Sequence, residues 1–213
     1  MKLKSRTFLL LMTLLYLPIS FAENQFVKDI SDFREVYLKA TDGNARAVRK
    51  AIKGARVLES RHGKSPLVLA YKGGALALRG SNAAKRPLDR MRETEEGLVV
   101  LDRALRMLSK HKGGYLEAIE TRLVAAFIFI NLPDSRFHRL KAGDRLIEQL
   151  LAHPKLMQMP QSLQASIYFA AATSAEKRNN PAQSKHYLEL TVKTDREGKN
   201  GKKAQMLLMN MTD

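Results

Sequence analysis

From Gln25 onward, apolar residues recur at intervals of three and four, and no stretch alternates apolar with polar positions between turn signals. A chain with that period presents one apolar stripe per helix and no pleated face, so the sequence predicts an all-α protein without a sheet. Gly97, Leu98, Leu101, Ala104, Leu105 and Leu108 fall on one stripe, with Asp102, Arg103 and Arg106 off it, which predicts a half-buried helix. Residues 123–130 are apolar at every position, so this helix is expected at the centre, covered by neighbours, and ended by Pro133.

Punctuation divides the chain into hairpins. Ser65-Pro66 and Asn180-Pro181 each place a capping side chain before a proline at the first helical position, and Asp134 or Ser135 can cap a helix after Pro133. Breaks are expected at Asp42-Gly43-Asn44, His62-Gly63, Lys112-Gly113-Gly114, His153-Pro154, Asn179-Asn180 and Glu197-Gly198. The predicted helices are 25–41, 45–61, 66–80, 86–110, 115–131, 136–152, 161–178, 181–195 and 201–211. The first helices of three successive pairs begin near Ser65, Gly113 and Gln161, 48 residues apart each time, which suggests stacked α-hairpins.

Residues 1–22 carry the three parts of a secretory leader: basic Lys2, Lys4 and Arg6, an apolar run over 8–17, and a small-residue exit at Ser20-Phe21-Ala22. The run is half the roughly 20 residues that a spanning helix needs, so cleavage before Glu23 is expected and the product is read as periplasmic or secreted. The 213 residues contain no cysteine, which excludes a lipidated N-terminal cysteine, disulfides, thiolate metal sites and a cysteine nucleophile. Loss of the leader takes three of the 37 basic residues and leaves 34 against 21 acidic ones, a net charge of +13. The basic character therefore belongs to the expected mature chain.

The helix pairs carry a degenerate resemblance to the tetratricopeptide repeat family, a helix-turn-helix unit with small residues where its two helices cross. Tyr168, Ala171, Ala172, Ala175, Ser184 and Leu188 follow the family spacing in the last pair. Ala142, Leu146 and Pro154 do so in the middle pair, and Gly97, Leu101 and Ala104 in the earlier one. Gly73-Gly74 would serve the same close approach. Gln149 and Thr191 depart from the pattern, no tryptophan is present, and the first two pairs exceed the family length. The resemblance spans about 65–198 and implies a right-handed α-α superhelix of about four stacked hairpins. Residues 23–64 would form an N-terminal cap, 65–198 three hairpins and 199–213 a terminal helix, all in one domain. It also implies a concave face lined by first helices that binds proteins or peptides; on the last pair this face would carry Ser166, Phe169, Thr173, Glu176 and Lys177.

No reaction chemistry emerges. Gly63-Lys64-Ser65 resembles the end of a phosphate-binding loop, but Leu58 stands where that loop requires glycine. His62, His111, His138, His153 and His186 are scattered with no helical pairing, so no metal or other cofactor is expected. No Gly-x-Ser-x-Gly elbow is present, and Glu95-Glu96 are adjacent on a helix and diverge.

The strongest polar feature lies between Gly43 and Lys64, with seven basic residues and one acid, Glu59. Arg46, Arg49, Lys50, Lys53 and Arg56 share one helical face, with Ala47, Val48, Ala51, Ile52, Ala55, Val57 and Leu58 expected on the buried side. Such a row is relieved by solvent, by acids of the preceding helix such as Asp29, Asp32 and Glu35, or by a partner. Further basic clusters are Lys85, Arg86, Arg90 and Arg92, and Lys193, Arg196, Lys199, Lys202 and Lys203. Together these features predict a noncatalytic exported binding or scaffold protein that engages a protein partner in the cell envelope through the groove and the basic face. The alternative is peripheral binding to an anionic envelope surface or polymer, followed by an enzyme of unrecognised type. Nucleic acid is disfavoured by export and by the lack of an RNA-binding pattern.

Overall fold

The structure is a computed structural model and describes residues 17–81, 85–110 and 113–211, with side chains from Gln25 onward. The expected leader falls, over 1–16, outside the described residues, as does His111. Ten α-helices and one short 3-10 turn are found among the described residues, and no strand. They are α1 (Leu17–Ala40), α2 (Ala45–His62), α3 (Pro66–Arg79), α4 (Pro87–Leu108), α5 (Tyr115–Asn131), α6 (Asp134–Phe137), α7 (Leu140–Leu151), α8 (Gln161–Lys177), α9 (Pro181–Thr194) and α10 (Lys199–Met209). The 3-10 turn is Leu156–Gln158. All-helical architecture follows from the three-and-four spacing, and the start signals act as read. Ser65 accepts from the Val68 amide, Asn180 from Gln183, and Asn44 from Arg46 and Ala47.

One predicted helix, 136–152, is interrupted. A single turn, α6, stops at His138 in the left-handed region (φ 51°), and Asp134 caps not its own turn but the next helix, accepting from the Leu140 amide at 2.9 Å. The break aims Arg139 back at α4, where its guanidinium bridges both oxygens of Asp102 at 3.0 and 2.8 Å and lies over the Phe129 ring. Periodicity alone runs through such a break because the apolar spacing on its two sides stays in phase.

Helices pair in sequence: α1 with α2, α3 with α4, α5 with α7, α8 with α9, and α10 on α9. First helices also meet across pairs, α1 with α3, α3 with α5 and α5 with α8. The α3–α4 seam is the closest. A Cβ on Gly73 would lie 2.8 Å from the Gly97 carbonyl oxygen and from the Leu101 nitrogen, and one on Gly97 would lie 2.5 Å from the Gly73 carbonyl oxygen. Backbone touches backbone there, which no other residue allows. Gly74 is required for a different reason: its Cβ would fall on the Tyr37 hydroxyl. In the last pair Tyr168, Ala171, Ala172, Ala175, Ser184 and Leu188 are all buried. The departures are accommodated as well, Gln149 by lying at the surface and Thr191 by donating to the Tyr187 carbonyl within the core.

Residues 123–130 are buried at the centre except Leu123 and Phe127, which remain half-buried. Those two define the side on which the molecule is open.

Candidate binding site

Leu116, Glu120, Leu123 and Phe127 stand at i, i+4, i+7 and i+11 of α5 and form one face. That face is the floor of a cavity of about 260 Å³. Leu38 of α1, Thr41 just after it, and Leu163, Ser166, Phe169 and Ala170 of α8 form its walls. Lys199, Asn200 and Lys203 of α10 lie at its edge. The first helices of the pairs thus converge on one groove, closed at one side by the terminal helix.

The closure is polar. Lys199 and Lys203 donate to the two oxygens of Asp42 at 2.8 and 2.6 Å, Lys199 also donates to the Leu38 carbonyl, and Asn200 donates to the Ser166 hydroxyl at 2.9 Å. Residues more than 150 positions apart are joined by these contacts. Burial alone would raise the Asp42 carboxyl, but its two lysine partners outweigh this and hold it below the usual carboxylate range.

Beside the groove's apolar residues, a charged network of Arg34, Tyr71 and Glu120 lines the same cavity. Arg34 donates to both Glu120 oxygens at 2.7 and 2.8 Å, and the Tyr71 hydroxyl donates to the same carboxylate. Hydrogen bonding to Glu120 strengthens the hold of Arg34 on its proton, while burial first and the Glu120 charge second push the Tyr71 hydroxyl up. Tyr37, in edge contact with Tyr71 at 4.9 Å, has a buried hydroxyl with no hydrogen-bond partner, and burial raises it too. Both Glu120 oxygens are therefore engaged inside the protein.

A larger cavity, about 460 Å³, lies at the loop ends of α1, α3 and α5. Its acid, Asp42, is held by the two lysines, and Arg90 donates to the Gly80 carbonyl.

Of the positions expected on the concave face, Ser166 and Phe169 line the groove. Phe169 also packs on the Ala172, Leu188 and Ala204 cluster, so it is both wall and core. Thr173, Glu176 and Lys177 do not line it; Thr173 donates to the Phe169 carbonyl one turn back, and the other two are exposed at the end of α8. Arg46, Arg49, Lys50, Lys53 and Arg56 are exposed on α2 and lie outside the groove. Arg34, Tyr71, Glu120, Lys199 and Lys203 were not foreseen. Glu120 did carry a signal, being an acid on the apolar face of a central helix, but its partner Arg34 is 86 residues away and nothing local links them.

No group of three His, Asp or Glu side chains that could hold a metal ion occurs among the described residues, and none of their helices is long and apolar enough to cross a membrane. No protein-family model, no curated protein and no solved structure matches the chain.

Proposed function

We propose that this chain is a noncatalytic binding protein of the cell envelope, exported by its leader, in which a tetratricopeptide-repeat-like stack of hairpins holds a segment of a protein partner in the groove. The observation that carries the reading is the convergence of α1, α5 and α8 on one open apolar cavity with two lysines at its edge. Its size selects the kind of ligand. Pockets that enclose a whole small molecule span about 300–1,000 Å³, and this one, at about 260 Å³, suits one or two large side chains of an extended segment. An aromatic or leucine anchor would fill the apolar floor, and acidic neighbours would compete with Asp42 for Lys199 and Lys203. A noncatalytic role is supported by the engagement of Arg34, Tyr71 and Glu120 with one another.

Fluorescence anisotropy with labelled peptides tests this. Peptides with a Phe or Leu anchor beside Asp or Glu are expected to bind the full chain, and Ser166→Trp, which narrows the mouth, is expected to weaken them at least tenfold. A library in which no anchored peptide outcompetes its alanine version would reject the groove as the binding surface.

A further inference from the structure

The sequence contains three basic clusters of similar strength, and the structure separates them. In the second, Lys85 is bound to Glu93 at 2.6 Å, Arg86 and Arg92 share Asp89 at 2.8 and 3.6 Å, and Arg90 is bonded to the Gly80 carbonyl. In the third, Lys199 and Lys203 hold Asp42, and Lys202 pairs with Glu197. The first cluster differs. Arg46, Arg49, Lys50, Lys53 and Arg56 are all exposed, and none takes part in an ion pair among the described residues.

None of the acids that could have relieved this row is paired with it. Asp29 of α1 holds Arg61 and His62, at 3.2 and 2.8 Å, and Glu59, the one acid of α2, is bound to Lys72 of α3 at 2.6 Å. Asp32 and Glu35 of α1 are exposed and form no ion pair with the row. The opposite face of α2 is fixed by burial of Val48, Ala51, Ala55 and Leu58, so the helix cannot roll to hide its charges. Five cations are thus held along about 15 Å of helix, exposed and without an ion-pair partner among the described residues.

From this we infer that the α2 face is a docking surface for a bilayer that exposes anionic phosphate headgroups. Two features select this partner over an acidic protein. None of the five residues lines either of the two cavities described above, so the face offers charge outside both. Protein interfaces place apolar and aromatic anchors at their centre, whereas this row contains none. A fluid leaflet needs no shape match, because its headgroups move laterally to meet a fixed row of cations. Each cation near such a surface is worth about fivefold in binding. The inference does not rest on the groove, which is built by other residues.

Flotation of the full chain with vesicles tests it, using neutral phosphatidylcholine and the same lipid with 30% phosphatidylglycerol, at about 50 and 500 mM salt. The leader's apolar run and its three basic residues act equally in parent and variant, so the difference between the two isolates the α2 face. The triple variant Arg49→Gln, Lys50→Gln, Lys53→Gln is expected to lose about a hundredfold on anionic vesicles, with unchanged helicity and unchanged partition onto neutral ones. A control, Arg86→Gln with Arg92→Gln, changes less than about threefold because those cations are already paired. Equal losses in control and triple variant would overturn the inference. So would tight binding to polyglutamate, abolished by the triple variant, with no triple-variant effect on vesicles, since the face would then belong to an acidic protein.

Discussion

Gly97→Ala sets two known effects against each other at the α3–α4 seam, and the structure decides the sign. Alanine in a helix interior is favoured over glycine by about 1 kcal/mol. The added Cβ, however, meets backbone: the Gly73 carbonyl oxygen at 2.5 Å and the Ala77 Cα at 2.8 Å, where ordinary contact begins near 3.4 Å. Backbone cannot rotate away as a side chain would, so the two helices must separate by about 1 Å, forfeiting a quarter to a half of the attraction along the seam. Overpacking of this kind costs about 1–3 kcal/mol, and a wall made of main chain lies at the upper end. The net expectation is a loss of about 2 kcal/mol, or about 4–8 °C in melting temperature for a chain of this length. Thermal and urea unfolding followed by circular dichroism measure it. Gly114→Ala is the control, since nothing lies within 4 Å of its Cβ, and it should stay within about 0.5 kcal/mol of the parent. A Gly97→Ala chain as stable as the parent would refute the argument that direct backbone contact defines this seam.

Three further outcomes follow from the site. Removing the acid that lines the groove with Glu120→Ala leaves the buried Tyr71 hydroxyl unpaired and should cost about 1–3 kcal/mol in urea unfolding. Arg34→Ala should cost at least as much, because it strips the guanidinium from the Glu120 carboxylate, only 11% exposed, and leaves that charge with Tyr71 alone; a much smaller loss than for Glu120→Ala would argue against the network. Asp29 and Asp42 have carboxyls held below 3.8, Asp29 chiefly by its hydrogen bond with His62 and Asp42 by lysines that outweigh its burial. Their contribution is therefore complete above pH 3.8 and is lost as pH falls below it, so Asp29→Asn with Asp42→Asn should flatten the acid limb of a melting-temperature profile. An acid limb of unchanged steepness would show that neither pairing matters. Lys199→Ala with Lys203→Ala should speed amide exchange in α10 while leaving α3 and α4 protected, and unchanged exchange would mean that apolar packing, not the lysine clamp, holds α10.

Nearly all of the secondary structure was legible in the chain, because helix period, N-cap side chains and glycine or proline breaks are local signals and each acts within a few residues. The basic row on α2 was legible for the same reason: residues at i, i+3, i+4 and i+7 share a face wherever the helix ends up. Of the five positions that the family resemblance implied, Ser166 and Phe169 line the cavity, while Thr173, Glu176 and Lys177 do not. What the sequence could not supply is anything that depends on which distant groups meet. Arg34 with Glu120, and Asp42 with Lys199 and Lys203, are separated by tens to more than a hundred residues. They are joined only because stacking brings the two ends of the chain to one groove. The interruption at His138 likewise belongs to tertiary structure, since the break places Arg139 on Asp102 of α4. Three basic clusters looked alike in sequence, and folding neutralised most of the second and third while leaving the first bare. Charge is a property of residues, but whether a charge is free is a property of the neighbours that packing brings to it.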